Sequence, residues 1–279
     1  LHQAKVLQGK ALSFNNILDL QAACTAVRSF ALPTAVAVKH NNSCGVASNA
    51  SHLVALQKAL SADPVSVFGG IVATNFALTQ EHALAMKDIF LECVLAPEIT
   101  EEAMVELGKR KNLRVLVWPE LMSSASALDF RSVDGGVLVQ QADSLLAHSG
   151  EWKFLGEQPT SAELQDLEFA WQVCATLKSN AISVCAQSQS IGLGMGQVNR
   201  IDAVKQALQR AKEFHGETQG WVLASDAFFP FPDSIDIAAQ YGVRWIVQPG
   251  GSIKDDEVIA AAKKHNINMV FTGKRHFRH

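Results

Sequence analysis

The 279-residue sequence is long enough to bury a large core and fits one large domain or two of ordinary size. Apolar residues make up 48% and charged residues 18%, as in well-packed globular proteins, and a net charge of −3 gives no indication of nucleic-acid or membrane binding. No apolar run approaches the roughly 18 residues of a membrane span, and the start, LHQAKVLQGK, lacks a signal-peptide pattern.

The five cysteines have no CxxC spacing and predict reduced thiols that mostly fill the core of a cytosolic protein. Neither an HExxH motif nor another His/Cys cluster with metal-ligand spacing occurs in the sequence. We therefore expect a cytoplasmic location and no catalytic metal.

Strands and helices alternate along the first half of the chain. Helical spacing of apolar residues predicts a helix over 19–30, and the apolar run TAVAV over 34–38 predicts a buried strand. HLVALQKALS predicts a second helix, and strands are predicted for VSVFGGIVAT, NLRVLVW and GGVLVQ. From 141 to 160 the sequence becomes polar and irregular, which indicates a boundary.

The second half repeats this alternation. Helices are predicted for LQDLEFAWQVCATL, IDAVKQALQRAKEF and DEVIAAAKKH, and strands for NAISVCA, SIGLG, GWVLAS, VRWIVQ and INMVF. The pattern indicates an α/β fold of two similar-sized layered units, although no residue-level repeat relates the halves.

The stretch VAVKHNNSCG places a lysine and a histidine together where a predicted strand ends. Neighbours on a regular strand face opposite ways, but at a strand end Lys39 and His40 can point into one cleft. The lysine cation disfavours a second positive charge, which would keep His40 neutral and able to accept a proton, and Lys39 could stabilise negative charge on an oxygen. The alternative is a solvated strand end with His40 hydrogen-bonded locally.

GLGMGQ resembles a dinucleotide-binding fingerprint. However, Gln197 stands where the last glycine belongs and no Walker lysine is present, so we reject a Rossmann cofactor site. The segment instead predicts a glycine-rich turn entering a helix, with Asn199 and Asp202 spaced as a capping pair. Exposed amides at such a turn suit an anion or polar ligand, and a purely structural turn is the alternative.

Three further segments combine turn residues with groups able to bind ligands. SDAFFPFPD predicts a rigid aromatic loop before a helix, which could clamp a flat ring or plug the core. QPGGSIKDDEVI predicts a strand end and a helix beginning at Ser252, with Asp255 at capping-box spacing. MVFTGKRHFRH predicts a buried strand followed by a basic tail that is either solvated or a phosphate-binding fork.

Eight stretches occur in the order found in the AICAR transformylase family. They are VAVKHNNSCGVA, DPVSVFGGIVA, RSVDGGVLVQ, KSNAI, IGLGMGQVNRID, ASDAFFPFPD, QPGGSIKDDEVIAAA and TGKRHFRH. Over nearly all of its length the chain therefore resembles this family, which is the C-terminal domain of a bifunctional purine-biosynthesis enzyme whose other half is IMP cyclohydrolase.

The resemblance implies two cytidine-deaminase-like α/β units in tandem, over 1–145 and 160–279, joined by a linker over 146–159. The zinc signature of the deaminases, HxE with PCxxC, is not found in the sequence, so no zinc site is expected. The resemblance also implies a homodimer with active sites at the subunit interface. The IMP cyclohydrolase domain is absent from this chain, so we expect either a fragment of a longer parent chain that carries that domain or a stand-alone relative.

The implied activity is formyl transfer from the co-substrate 10-formyltetrahydrofolate to the amine of AICAR, giving formyl-AICAR and tetrahydrofolate. By resemblance, His40 is the proton acceptor, Lys39 stabilises the oxyanion, and Asn180 holds the substrate amide. The positions implied for AICAR are Gly69, Glu92, Phe228, the phosphate-gripping Arg275 and the cleft residue His279. The positions implied for folate are Arg200, Ile201, Asp233, Ser252 and Ile253.

The chain departs from the family in three ways. It lacks the RYGENPHQ-like block whose arginine also binds the substrate phosphate, Ser43 replaces a proline and should loosen the catalytic turn, and the cyclohydrolase half is missing. Loss of one phosphate contact of roughly 1.5–3 kcal/mol would weaken AICAR binding by about one to two decades. The alternatives are a non-catalytic folate- or nucleotide-binding module, which the missing block favours, and a deaminase relative, which the lack of zinc ligands disfavours.

Overall fold

The computed structural model describes residues 1–123, 128–143, 145, 147 and 149–279 of the chain. Positions 146 and 148 of the predicted linker lie outside the described residues.

Strands and helices alternate along the whole chain. The elements of the first part are β1 (Lys5–Gln8), α1 (Phe14–Val27), β2 (Thr34–Lys39), β3 (Asn42–Ser48), α2 (His52–Ser61), β4 (Gly70–Thr74), α3 (Gln80–Ala85), β5 (Leu91–Ala96), α4 (Glu101–Gly108), β6 (Arg114–Val117), β7 (Leu128–Val133) and β8 (Gly136–Gln141). Those of the second part are a 3-10 turn (Ser149–Glu151), β9 (Lys153–Leu155), α5 (Ser161–Ala175), β10 (Ile182–Ala186), β11 (Gln189–Gly194), α6 (Arg200–His215), β12 (Val222–Ser225), α7 (Asp233–Gln240), β13 (Trp245–Gln248), α8 (Asp255–Lys264) and β14 (Asn268–Phe271). The predicted α/β alternation is confirmed.

Twelve strands form one continuous mixed sheet in the order β1-β6-β5-β4-β2-β3-β11-β10-β12-β13-β14-β9. Strands β4, β5 and β6 pair in parallel, as do β12, β13 and β14, and the other pairs in this sheet are antiparallel. The two parts of the chain meet where Gln189 of β11 pairs with Ala47 of β3. Outward from this seam each part contributes a hairpin, three parallel strands and an antiparallel edge strand, in the same order.

Helices cover both faces of the sheet. Helices α1 and α5 lie on one face, over a core that includes Val36 and Val38 of β2. Helices α2, α3 and α4 cover the other face of the first part, around a core that includes Ala35 and Ala37 of the same strand. Helices α6, α7 and α8 enclose the corresponding core of the second part. Because alanine and valine alternate in TAVAV, the valines of β2 face α1 and α5, and the alanines face the helices on the other side of the sheet.

Gly192 and Gly194 lie in β11, which confirms the strand predicted for SIGLG. A Cβ added to Gly192 or Gly194 of β11 would come within 2.0 Å of the α6 carbonyls of Ala207 or Ala203. Glycine at these positions therefore allows the helix to lie directly on the strand. Gly196, with φ of +67°, lies in the turn before α6.

Several element boundaries differ from the predictions, and the helix predicted over 19–30 spans Phe14–Val27. The strand predicted for VSVFGGIVAT begins only at Gly70, because the Asp63 carboxylate accepts hydrogen bonds from two backbone N–H groups and holds the preceding residues in a turn. The helix predicted to begin at Ser252 begins at Asp255. The Asp255 carboxylate does accept from the Ser252 N–H, at 3.2 Å, so the predicted contact exists although the residues between them form a turn.

Strands β7 and β8 form a separate two-stranded ribbon, which confirms the strand predicted for GGVLVQ. Every residue of both strands is exposed, including the large apolar side chains of Phe130, Val137 and Leu138. A two-stranded ribbon without a packed face is marginally stable in water, so the ribbon is a candidate for contact with another surface.

All five cysteines are free thiols, of which four are buried and Cys44 is half-buried. Their expected role as core residues is confirmed for the buried four. In the described part of the chain, no helix combines the length and apolar content needed to cross a bilayer.

Candidate functional site

The predicted site residues lie along one edge of the sheet. Strands β3 to β6 begin at this edge and β11 to β14 end there, because the two sets run in opposite directions where β3 meets β11. Loops that follow parallel strands gather at the edge where those strands end. All thirteen predicted residues lie at or just beyond these strand ends.

A tight turn between β2 and β3 carries Lys39 and His40. His40 and Asn41 have positive φ, 52° and 64°, as two-residue hairpin turns that match strand twist require. The Asp19 carboxylate of α1 accepts a hydrogen bond from the Asn41 backbone N–H at 2.6 Å. The Ser43 hydroxyl lies 3.2 Å from that of Thr176, at the end of α5.

Lys39 and His40 line one cavity of about 200 Å³ at the seam of the sheet. The cavity opens because β3 and β11 pair only at Gln189 and Ala47, near the opposite edge. Its polar lining includes Asp63, Ser66, Gln206 and Arg210. The structure thus brings the lysine and the histidine to one cleft.

Cys44 lines the same cavity. Burial raises the pKa of Cys44 to about 12, which keeps the thiol protonated at neutral pH. Among the described residues, no group of three or more His, Cys, Asp or Glu side chains could hold a metal ion.

Lys39 also contacts the loop that contains Gly69. The Lys39 ammonium donates to the Phe68 carbonyl at 2.7 Å, which leaves two N–H groups for other acceptors. Gly69 has φ of +75° and its N–H donates to the Phe90 carbonyl at 2.7 Å. Further along the edge, the Glu92 carboxylate forms an ion pair with the Arg114 guanidinium on β6, at 2.7 Å.

Asn180 lies beside the seam, immediately before β10. Its side-chain N–H donates to the Gln197 carbonyl at 2.9 Å, and its side-chain oxygen accepts from Arg200 at 2.8 Å. The backbone N–H of Lys178 donates to the Asn42 side chain at 3.0 Å, next to the Lys39–His40 turn. The three predicted catalytic residues therefore lie on adjacent segments.

The predicted folate residues differ in exposure. Arg200 is 8% exposed and its guanidinium donates to the Ser225 hydroxyl at 2.8 Å and to the Asp226 carboxylate. Ile201 is half-buried beside it. Asp233 is the first residue of α7, Ser252 lies in the turn before α8, and Ile253 is 99% exposed.

The aromatic loop after β12 packs into the core at one ring, as one of the two predictions had it, and exposes two others. Phe229 is buried and belongs to the core beneath the loop, and its backbone N–H donates to the Gln248 side chain at 2.8 Å. Phe228 and Phe231 remain exposed at 38% and 57%. The loop therefore anchors itself with one ring and presents two others.

The basic tail holds Arg278, rather than Arg275, against the fold. The Arg278 guanidinium donates to the Thr176 carbonyl at 3.2 Å, and burial lowers the pKa of that guanidinium. Arg275 is exposed and lies over the Phe277 ring at 4.8 Å. The His279 carbonyl accepts a hydrogen bond from the Lys178 ammonium, which ties the tail to the Asn180 segment.

The sequence analysis did not single out Asp226, and it named Arg278 only as part of the basic tail; both residues hold segments of the site together. Asp226 is fully buried and accepts hydrogen bonds from Arg200 and Ser179. The sequence does contain a signal for Asp226, because it directly follows the apolar strand GWVLAS. A carboxylate at such a position is rarely buried unless it is paired, which predicts a cationic partner for Asp226.

The positions predicted for AICAR are spread widely within one chain. Glu92 on β5 and Phe228 beyond β12 are separated by six strand spacings of about 4.8 Å, or about 29 Å along the sheet. The strands next to Glu92 and Phe228 are therefore far apart within one chain.

The fold and site define an α/β protein that presents a lysine, a histidine and an asparagine at the seam of one continuous sheet. A family model described as AICARFT/IMPCHase bienzyme matches residues 1–210, and the chain belongs to this family. It is 46% identical over 279 residues to the bifunctional purine biosynthesis protein PurH of Persephonella marina, an alignment that covers 99% of this chain and 54% of that protein.

Two further PurH proteins are equally similar. Those of Caldicellulosiruptor saccharolyticus and Enterococcus faecalis are 48% and 47% identical over 276 and 277 residues, covering 99% of this chain in both cases and 53% and 54% of those proteins. The chain spans about half the length of the curated relatives it matches. The family resemblance carried by the eight stretches is confirmed.

Proposed function

We propose that this chain transfers a formyl group from 10-formyltetrahydrofolate to the amine of AICAR, giving formyl-AICAR and tetrahydrofolate in purine biosynthesis. Membership of the AICARFT/IMPCHase family supports this reaction. The observation that carries the proposal is that Lys39 and His40, the pair expected to perform the chemistry, line one cavity.

The reaction requires a base and a group that stabilises negative charge. The AICAR amine is a weak nucleophile because it is attached to an electron-poor imidazole, so removal of its proton by His40 assists attack on the formyl carbon. The new C–N bond creates a tetrahedral intermediate with a negative oxygen, which the Lys39 ammonium stabilises. As the bond to the folate nitrogen breaks, the proton passes to that nitrogen. Asn180 holds the substrate amide during these steps.

The remaining predicted residues divide between the two ligands. For AICAR we propose Gly69, Glu92, Phe228, Arg275 and His279. For folate we propose Arg200, Ile201, Asp233, Ser252 and Ile253. Phe228, Arg275 and Ile253 are exposed at one edge of the sheet. Their exposure supports these assignments, because an aromatic ligand needs apolar groups to pack against and a phosphate needs an accessible cation.

We propose that the active form is a homodimer whose sites combine residues of two copies. The separation of about 29 Å between Glu92 and Phe228 supports this arrangement, because a mononucleotide does not reach across it. The exposed apolar side chains of the β7–β8 ribbon supply a surface that a second copy could cover. Analytical ultracentrifugation tests the assembly: Phe130→Asp with Leu138→Asp should convert dimers to inactive monomers, and a fully active monomer would contradict it.

Three further proposals concern the organisation of the chain. The parts over 1–145 and 160–279 are assigned to cytidine-deaminase-like units joined by 146–159, which the repeated strand order supports. We assign to this chain the transferase half of the family's two activities. The free thiols suit a cytoplasmic location.

A formyl-transfer assay with purified protein tests the proposed activity. Formyl-AICAR should form only when both AICAR and 10-formyltetrahydrofolate are present, and Lys39→Ala or His40→Ala should lower turnover at least about 100-fold. Gln187→Ala is the matched control, because Gln187 has the same φ of 52° in the other central hairpin turn.

Two outcomes would contradict the proposed activity, and each would favour a different function. Tight binding of both substrates by calorimetry without turnover would indicate a non-catalytic binding module. Stoichiometric bound zinc would instead indicate a deaminase relative.

A further inference from the structure

We propose that Asp226 is a positioning residue for formyl transfer, which orients the Asn180 carboxamide through Arg200. The inference rests on the proposed function for its kinetic consequence, but the geometry that carries it is independent of the reaction.

The Asp226 carboxylate holds Asn180 from two directions. Its Oδ1 accepts a hydrogen bond from Arg200 Nη1 at 2.5 Å, and its Oδ2 accepts one from the Ser179 hydroxyl at 2.5 Å. Arg200 in turn donates from Nη2 to the Asn180 side-chain oxygen at 2.8 Å. One buried carboxylate therefore contacts both the residue before Asn180 and the partner of its side chain.

These contacts select one orientation of the carboxamide. A guanidinium only donates hydrogen bonds, so the Asn180 oxygen must face Arg200. The Gln197 carbonyl only accepts, so the Asn180 nitrogen must face it, at 2.9 Å. Both neighbours fix the same orientation, which leaves one N–H and one lone pair of the carboxamide for a substrate amide.

Arg200 depends on Asp226 to remain in place. The guanidinium is 8% exposed and pairs with no carboxylate other than Asp226 among the described ion pairs. A buried cation that loses its counter-ion is strongly unfavourable, so removal of the Asp226 charge should displace Arg200 from the Asn180 oxygen. The carboxamide would then rotate, although it would not be removed.

A double-mutant cycle tests this chain of contacts. Asp226→Asn, which keeps the side-chain shape, should lower kcat/KM for AICAR about 10- to 100-fold, and Arg200→Gln should behave similarly. With 10-formyltetrahydrofolate held at saturation, so that any effect of Arg200 on folate binding is not measured, the double variant Asp226→Asn/Asn180→Ala should be no slower than Asn180→Ala alone, because Asp226 acts through Asn180. Additive losses would overturn the proposal.

A spectroscopic readout does not depend on activity. In protein labelled with 15N-asparagine, the side-chain amide resonances of Asn180 are identified by their loss in Asn180→Ala. They should move in Asp226→Asn and in Arg200→Gln. The control is Glu163→Gln, which removes a carboxylate partner of Arg244, located before β13 at the opposite edge of the sheet, and should leave these resonances in place.

The two readouts separate the positioning role from the proposed function. Unmoved resonances in Asp226→Asn would overturn the positioning role even in an active transferase. Moved resonances in a protein without formyl transfer would support the positioning role and reject the function. If Asp226→Asn does not fold, Asp226→Leu with Arg200→Met replaces both charges by apolar groups and should fold with the same kinetic loss.

Discussion

The two hairpins at the centre of the sheet have the same backbone geometry and different surroundings. The β2–β3 turn has positive φ at His40 and Asn41, and the β10–β11 turn has positive φ at Gln187 and Ser188. Strand pairing outward from each hairpin follows the same order. The turn geometry is therefore a property of the repeated framework rather than of a catalytic site.

Each turn is also held in the same way by the helix before its hairpin. Asp19 is the sixth residue of α1 and accepts from the Asn41 N–H. Asp166 is the sixth residue of α5 and accepts from two N–H groups of the β10–β11 turn, at 2.8 and 2.6 Å. The two parts thus repeat a specific contact even though most side chains differ.

The side chains at the turns mark the difference between the hairpins. The first turn presents Lys39 and His40 to the cavity, where the second has Ala186 and Gln187. The Gln187 carbonyl accepts from the Lys58 ammonium at 2.9 Å and so joins the two parts of the chain. We therefore infer that the first hairpin takes part in the reaction and that the second has a structural role. The side chains at the two turns make this difference.

The largest expected effect comes from converting the first turn into the second. Lys39→Ala with His40→Gln should lower formyl transfer by at least about 1,000-fold, because it removes both the base and the oxyanion partner. The free energy of unfolding should change little, since glutamine occupies the equivalent turn position at the same φ. Steady-state kinetics and urea unfolding measure the two quantities, and Gln187→His in the second turn is the control. Retained turnover would contradict the assignment.

A glycine test examines whether both central strands lie equally close to a helix. A Cβ on Gly45 or Gly192 would come within 2.1 or 2.0 Å of a carbonyl on α2 or α6, so alanine at either position should cost about 3 kcal/mol or more of unfolding free energy. Gly136→Ala in the ribbon is the control, because its nearest contact would be at 4.0 Å. A loss confined to one of the two central strands would show that the packing is not repeated.

The aspartates that hold the turns provide a finer comparison. Asp19→Ala should lower turnover about tenfold and stability by roughly 1–2 kcal/mol, because the turn that carries His40 loses its anchor. Asp166→Ala should cost similar stability without changing turnover. Equal kinetic losses in both variants would mean that the first turn has no special part in the reaction.

The smallest expected effect concerns the helix caps. Ser13 and Asn16 form a capping box for α1, and Thr160 and Glu163 form one for α5. Hydrogen bonds from the Thr160 backbone, then from Trp245, lower the pKa of Glu163 to about 2 from the ordinary 4.5. Its stabilisation is therefore present above pH 4.5 and is lost as pH falls towards 2.

Urea unfolding at several pH values measures this difference. Glu163→Gln should lower the unfolding free energy by roughly 1 kcal/mol at pH 7, and the loss should shrink below pH 4.5. Asn16→Ala should cost about the same amount at every pH, because its cap carries no charge. A pH-independent loss in Glu163→Gln would contradict the role of the carboxylate.

Much of the fold was predictable because hydrophobic periodicity is a local property, as TAVAV and HLVALQKALS illustrate. The seam was not predictable, because the pairing of Gln189 with Ala47 joins residues far apart in sequence. Two similar units were predicted without a residue-level repeat, because the two parts share contacts such as those of Asp19 and Asp166 rather than most of their residues.

The candidate site was predictable where neighbouring residues define it and not where the fold assembles it. Lys39 and His40 are adjacent in the sequence, and they meet in one cavity. Arg278, the tail guanidinium that is held against the fold, is set by contacts with Thr176, about 100 residues away in sequence. The role of Asp226 likewise depends on the fold, because its partners Ser179 and Arg200 lie on two other segments of the chain.

A structure of the protein with bound AICAR tests the central claim most directly. We expect the AICAR amine to lie about 3 Å from a ring nitrogen of His40, with its carboxamide on Asn180 and its phosphate on Arg275. An AICAR molecule bound in a catalytically active protein with its amine away from the Lys39–His40 turn would contradict it.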